Sequence, residues 1–402
     1  MSNDIDVLRV KISKKRKQKI ITIMFCILPL IDTLNGIYSE IPVGKMYKMS
    51  LGLMVFLYLC LKQRKMKKNY TMIMGGAIIY VIFSIIINIL LGDIPLSIDY
   101  PLKLIFNIVL LISLLQCADY KLLNGIDFYH ILDISSWLFI GCYFIPYILG
   151  IGNRVYAGDI GYKAFFIAQN ELGLIVVVFC FFNAYQLTNR IKTLYVLKLV
   201  LLLACGLLLN TKTAIIGSLI SIIMWFGHIV IKGKTKYKVM SIIAVIIGVF
   251  TLKNTIINSF VLVQQRYSML TTKYYKGSII TGLLSARNNT FFSALNNLLH
   301  NHFIIRFFIG NGFCSELLTE MDIVDVFFYL GFIGAFFTIA VLFRLFIVTI
   351  RNSKTDSSRI RLASYLIIVA LLFWAGHVLF MAMSGCYFII YLCFLIYYKE
   401  LD

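Results

Sequence analysis

Asp322 and Asp325 lie three residues apart at the opening of a long apolar run, and Glu316 and Glu320, four apart, precede them. On a helix that spacing puts each pair on one face. Acids at the mouth of an apolar segment are costly without a partner or water. Like charges held close together can also raise one pKa. A carboxylate so placed suits the removal of a proton from a sugar hydroxyl. The plainer alternative is a polar cap on the helix that follows. Upstream stand Arg266 and Arg287, with Lys273, Lys276 and Arg306 around them. A guanidinium presents a planar fork that matches phosphate oxygens, although Arg287 alone could equally snorkel toward a lipid head group. His300 and His302 are further candidate bases. No matching His, Asp or Cys cluster accompanies them, so no metal site is expected. A cation-rich segment closing in carboxylates suits a polyanionic head group beside a hydroxyl that must be activated.

Other polar residues lie in or beside apolar runs. Asn170 and Glu171 fall within the run 163–188, where a glutamate should face protein rather than lipid. They fit a functional role or an interior-organising one. Lys212 follows Asn210 and Thr211, and either meets a phosphate or anchors a turn at the interface. Arg154 is another phosphate candidate. His377 reads as a packed, hydrogen-bonded histidine.

These residues need elements to hold them. From Ser285 to Asn289 the chain reads as a helix start. Phe291, Leu295, Leu298 and Leu299 then recur at helical spacing, with Asn296, Asn297 and His300 between them. That pattern predicts a short amphipathic helix on the bilayer surface, with Arg287 in its first turn. Phe307 to Phe313 ends the helix, and Gly310 and Gly312 permit a tight turn.

The whole chain of 402 residues is 60% hydrophobic and 14% charged. Soluble domains are nearer half apolar and a quarter charged. A soluble enzyme, a secreted domain and a disordered chain are thereby excluded, and a polytopic membrane protein is left. Apolar runs near 20–36, 46–61, 70–91, 102–118, 130–150, 163–188, 195–210, 213–231, 239–258, 323–346, 362–379 and 384–398 predict about twelve transmembrane helices. The first run, with Pro29 and Asp32, lacks a small-residue cleavage site and reads as a retained span. Lys+Arg total 38 against 18 Asp+Glu, and the basic clusters fall in the tail and in alternate connections. By the positive-inside rule both termini are cytoplasmic. The expected organisation is a basic tail (1–19), helices one to nine (20–258), a long external loop (259–322), and helices ten to twelve with a short tail (323–402). The charge excess then serves topology and anionic-lipid contact, not nucleic-acid binding. The 9 Cys are scattered without a CxxC pair. No nucleotide motif, cofactor motif or tandem repeat is present, so no cofactor is expected.

Several of these segments resemble the bacterial O-antigen polymerase (Wzy) and O-antigen ligase superfamily. Asn170-Glu171-Leu172-Gly173 is similar to the family's Asn-rich segment before a glycine. Asn210 to Gly217 resembles its Thr/Ser-Arg segment, with Lys212 where many members carry Arg. Ser285-Ala286-Arg287 resembles the Ser-Gly-Arg that opens the loop helix. Phe308 to Phe313 resembles the Gly-x-Gly-Phe turn after it. Asp322 to Gly334 resembles the entry to the next span, without the His-Asn pair that ligases share. The resemblance covers about residues 160–345. It implies a polymerase, of the capsular or exopolysaccharide branch, at the outer face of the bacterial cytoplasmic membrane. Such an enzyme moves a growing glycan from undecaprenyl diphosphate onto a new lipid-linked repeat unit, without a metal. It implies diphosphate contacts at Arg287, Arg266, Lys212 and Arg154, and acid–base work at Asp325, Asp322, Glu320, His300 or His302. Flippase and chain-length regulator proteins are the implied partners. A flippase for the same lipids, or a ligase-like glycan transferase, are the competing readings.

Overall fold

The computed structural model describes residues 19–38, 43–62, 68–93, 95, 98–119, 128–156, 160–189, 192–232, 287–300, 302–313, 319–352, 356–374, 378–380 and 382–397. In chain order the helices are α1 (Lys19–Cys26), α2 (Leu28–Ile37), α3 (Val43–Lys62), α4 (Lys68–Leu90), α5 (Asp99–Asp119) and α6 (Phe128–Ile148). A two-stranded antiparallel hairpin, β1 (Arg154–Tyr156) and β2 (Ile160–Tyr162), follows. Then come α7 (Gln169–Asn189), α8 (Thr193–Leu209), α9 (Lys212–Lys232), α10 (Arg287–His300), α11 (Phe303–Ile309), α12 (Asp322–Asn352), α13 (Asp356–Trp374) and α14 (Ala382–Tyr397). The protein is a largely helical, multi-pass membrane protein.

Two helices form its centre. Leu172 to Phe182 on α7 are all buried, with one glycine among them, and Met383 to Ile396 on α14 are buried along their whole length. A helix that is apolar all round has no face to offer water, so it is surrounded by lipid or by protein. Here protein surrounds both. Phe179 meets Tyr387 edge to face at 5.0 Å, and Phe182 meets Phe394 at 5.3 Å. The outer helices turn Ile79, Ile223 and Phe337 outward, and each is more than half exposed.

That arrangement corrects the expected count of about twelve spans. Among the described residues, six helices are long and apolar enough to cross a bilayer, or seven if α1 and α2 count as one bent span. The six match the runs at 70–91, 102–118, 130–150, 163–188, 213–231 and 323–346. The run 20–36 breaks at Ile27, where α1 and α2 meet at 44°. Pro29 in the first turn of α2 removes a backbone donor there. The runs 195–210 and 384–398 become helices of 17 and 16 residues, below the ~20 a bilayer requires. In the runs 46–61 and 362–379 the apolar stretches within α3 and α13 are Met46–Leu57 and Arg361–Leu371. Apolar composition does not distinguish lipid from a protein interior: α14 is wrapped by protein, whereas α3 and α8 keep Met49, Leu53, Leu197 and Val200 half exposed or more. The run 239–258 lies outside the described residues, as do all of 259–286 and residues 1–18 of the basic tail.

The turn that shapes the site lies between α11 and α12. Gly331 interrupts α12 with φ 65° and ψ −171°. A Cβ on Gly331 would fall 2.3 Å from the Phe308 carbonyl carbon, and one on Gly310 would fall 2.3 Å from that of Tyr329. Two bare backbones therefore touch where any side chain would separate them. The carbonyls freed by the break need new donors, because hydrocarbon supplies none. The Asn311 amide reaches Phe328 O at 2.8 Å and the Gly312 amide reaches Tyr329 O at 3.1 Å. The Tyr80 hydroxyl donates to Leu330 O at 2.7 Å, and the Ser84 hydroxyl to Ile309 O at 2.9 Å. Asn88 Nδ2 donates to Gly310 O at 3.0 Å. Tyr80, Ser84 and Asn88 are spaced by four, one stripe along α4. The amphipathic pattern beginning at Arg287 is helix α10, which packs on α12 through Phe291, Ala294 and Leu298. A second short helix, α11, intervenes before the glycine turn, and His302 starts it in a left-handed conformation (φ 48°).

Candidate functional site

Three polar side chains far apart in sequence converge beside the first turn of α12. Arg287, in the first turn of α10, places a guanidinium nitrogen 3.3 Å from Glu320 Oε2. Asn170, in the first turn of α7, donates Nδ2 to the same oxygen at 3.1 Å. The Arg287 side chain is 16% exposed and that of Glu320 45%, so the pair is reachable from outside yet largely walled. Glu320 has φ 57°, a conformation that non-glycine residues adopt only under constraint. The constraint comes from its neighbours. Asp325 Oδ1 accepts from the Thr319 amide at 2.7 Å and the Thr319 hydroxyl at 2.8 Å, six residues back, which closes the segment around Glu320 into a tight loop.

Asp322 has a different task. Its two carboxylate oxygens accept from the Val378 amide at 2.8 Å and the Leu379 amide at 2.9 Å. It thereby ties the start of α12 to the segment leading into α14, and it is fully buried. Glu171 does the same for α14 itself. Its Oε1 accepts from the Met383 amide at 3.1 Å and the Ser384 amide at 2.9 Å. The run read as 163–188 becomes helical only at Gln169, because residues 163–168 form a turn with Ala164 at φ 49°. Glu171 is consequently a first-turn residue and not a deep one.

Glu320, Asn170 and Glu171 line a polar chamber of about 290 Å³ with Lys163 and Gln169. Lys163 carries no mark in the sequence of a role at this site. Its ammonium donates to Ile167 O at 3.0 Å, and nothing local in the sequence sets it apart from other interfacial lysines. Ile167, Ala168 and Glu171 also line a second, mostly apolar cavity of about 620 Å³ among α2, α3, α4, α5 and α7. A polar chamber therefore shares a wall with an apolar one.

The other candidates stand elsewhere. Arg154 projects from β1 over the Tyr162 ring at 5.5 Å. Burial raises the Tyr162 phenol above its ordinary pKa, against the lowering pull of that guanidinium. Lys212 is exposed in the first turn of α9. Neither residue lines the chamber. His302 is exposed at the start of α11, and His300 ends α10. Arg266, Glu316 and His377 lie outside the described residues. Among the described residues, no group of three or more His, Cys, Asp or Glu side chains could hold a metal ion. Two ion pairs had no sequence signal beyond a charge inside an apolar run. Arg306 on α11 pairs with Asp93 after α4, and Lys198 on α8 pairs with Asp133 on α6. No family model and no curated protein matches the chain.

Proposed function

We propose that this protein is a polysaccharide polymerase of the O-antigen polymerase type, in a bacterial cytoplasmic membrane. It transfers a growing glycan from undecaprenyl diphosphate to a lipid-linked oligosaccharide repeat at the outer face. The observation that carries the reading is a polar chamber, lined by Glu320 and Asn170 with Arg287 paired to Glu320, that adjoins an apolar cavity. A diphosphate on a hydrocarbon chain needs both environments side by side. Flippase and chain-length regulator proteins are its proposed partners.

The geometry favours Glu320 over the aspartates as base. Both Asp322 oxygens already accept backbone amides, and Asp325 is buried holding Thr319. Glu320 is the carboxylate on the chamber wall with substantial exposure. In the proposed step the acceptor hydroxyl oxygen attacks the anomeric carbon of the donor. The bond from that carbon to the diphosphate oxygen breaks, and its electron pair leaves with the diphosphate. The hydroxyl proton passes to Glu320, and Arg287 stabilises the charge gathering on the leaving group. Asn170 holds the Glu320 carboxylate in orientation.

The test is polymer formation by purified protein from a defined lipid-linked repeat. Glu320→Gln should lose about 100-fold or more in turnover, the low end for an acid–base group, with the elution profile of folded protein retained. Near wild-type turnover would remove Glu320 from the role. The broken helix α12 favours one other reading, a carrier for the same lipids, because interrupted helices line transporter sites. Deletion in the parent cell separates the two. Single unpolymerised repeats outside support polymerisation, and repeats trapped inside support transport.

A further inference from the structure

Between the polar chamber and the apolar cavity stands a short stretch of fixed backbone. The turn 163–166 is closed by the Phe166 amide, which donates to Lys163 O at 3.1 Å. The Lys163 amide donates to Asn153 O, ahead of β1, at 3.0 Å, and the Lys163 ammonium to Ile167 O at 3.0 Å. Phe166 is buried and packs against Phe139 of α6, with ring centroids 5.5 Å apart. From the other side the end of α2 presses on the turn, where a Cβ on Gly36 would fall 1.4 Å from Phe165 O. Ala168 O then accepts the Leu172 amide at 3.3 Å, which leads the stretch into α7. Held at each step, this backbone moves only by breaking several hydrogen bonds at once.

Ile167, Ala168 and Glu171 are the residues that line both spaces, and they differ in what they leave open. Ile167 turns outward and is 56% exposed. Glu171 is held by the Met383 and Ser384 amides. Ala168 brings a single methyl group to the shared wall. With the backbone fixed and the flanking side chains committed, the width of the junction depends on the bulk at position 168. On the chamber side the lining continues to Asn170 and Glu320, and on the cavity side to Leu102 and Phe106. An amphiphile with its head in one space and its chain in the other crosses at Ala168.

We infer that Ala168 is a specificity-determining residue, whose small side chain keeps open the sill where the hydrocarbon chain of the substrate passes from the polar chamber into the apolar cavity. The inference rests on the polymerase reading in taking the ligand to be a polyprenyl diphosphate. What it adds is the residue that sets the passage and so decides whether a long chain is accepted.

The test uses the purified full chain in nanodiscs, with dimethylallyl diphosphate and geranylgeranyl diphosphate as probes. They share a head group and differ in chain length. Each probe is compared between proteins in the same nanodiscs, which cancels its partition into lipid. Ala168→Phe should bind the short probe as wild type does and lose about 5- to 150-fold for the long one, the affinity equivalent of overpacking a filled space. Ala168→Ser, close in size to alanine, should bind both probes as wild type does. Ala168→Leu should show the same chain-selective loss to a smaller extent, and it carries the comparison if Ala168→Phe does not fold. Undiminished binding of the long probe by the bulky variants, equal loss of both probes, or a wild type that binds neither overturns the inference. Binding is read without turnover, so a chain-selective loss in a protein that never polymerises fails the earlier reading alone. Full polymer formation by Ala168→Phe from the lipid-linked repeat fails the inference alone.

Discussion

Asp322 and Glu171 both hold backbone amides, but they use their oxygens differently, and an amide substitution should separate them. Asp322 spends one oxygen on Val378 and the other on Leu379. An asparagine keeps one acceptor and turns an NH₂ group toward the second amide, so one hydrogen bond is lost and two donors face each other. Loss of a charge-assisted bond in a buried site costs about 1.5–3 kcal/mol. Asp322→Ala removes both bonds, and its cost rises to about 3–5 kcal/mol. Glu171 gives both bonds through Oε1 alone. A glutamine keeps that oxygen as its carbonyl and loses only the charge at the α14 N-terminus, worth about 0.3–1 kcal/mol. Unfolding of the purified protein in mixed micelles reads these differences. The expected order of stability is wild type, Glu171→Gln, Asp322→Asn, Asp322→Ala. An Asp322→Asn protein as stable as wild type, or less harmed than Glu171→Gln, would refute the account of Asp322 as a two-amide tie. If such a protein also lost all polymer formation, Asp322 would return as a candidate base.

The crossing of α11 and α12 predicts that Gly331→Ala is severe. Its Cβ meets the Phe308 backbone at 2.3 Å in a left-handed position, which should cost at least about 2 kcal/mol from clash and handedness together, read by the same unfolding assay. Tyr80→Phe should cost about 1 kcal/mol, because Leu330 O loses its 2.7 Å donor. Lys198→Met should destabilise by about 2 kcal/mol, discounted for the partial exposure of Asp133, and adding Asp133→Asn should recover part of the loss. For topology, a cysteine at Asn289 in a background without the native cysteines should react with an impermeant thiol reagent from outside. One at Lys65 should be protected, and the reverse pattern would invert the map.

Composition by itself determined that the chain lives in a membrane, because 60% hydrophobic residues with 14% charged ones leave too little polar surface for water. Periodicity also located the amphipathic helix at Arg287, since its apolar spacing is local and survives into α10. What the sequence could not separate was a run facing lipid from a run facing protein. Both are continuous apolar stretches, and only packing shows that α14 is wrapped by neighbours while α4 turns Ile79 outward. The same limit governed the acids. Asp322, Asp325 and Glu320 are alike as spacing on one helix start, yet their surroundings differ through contacts made far along the chain. Asp322 is claimed by Val378 and Leu379, whereas Glu320 is left to Arg287 and Asn170. The role of a carboxylate depends on which donors reach it, and those donors arrive from other helices. Tertiary structure alone brings them together.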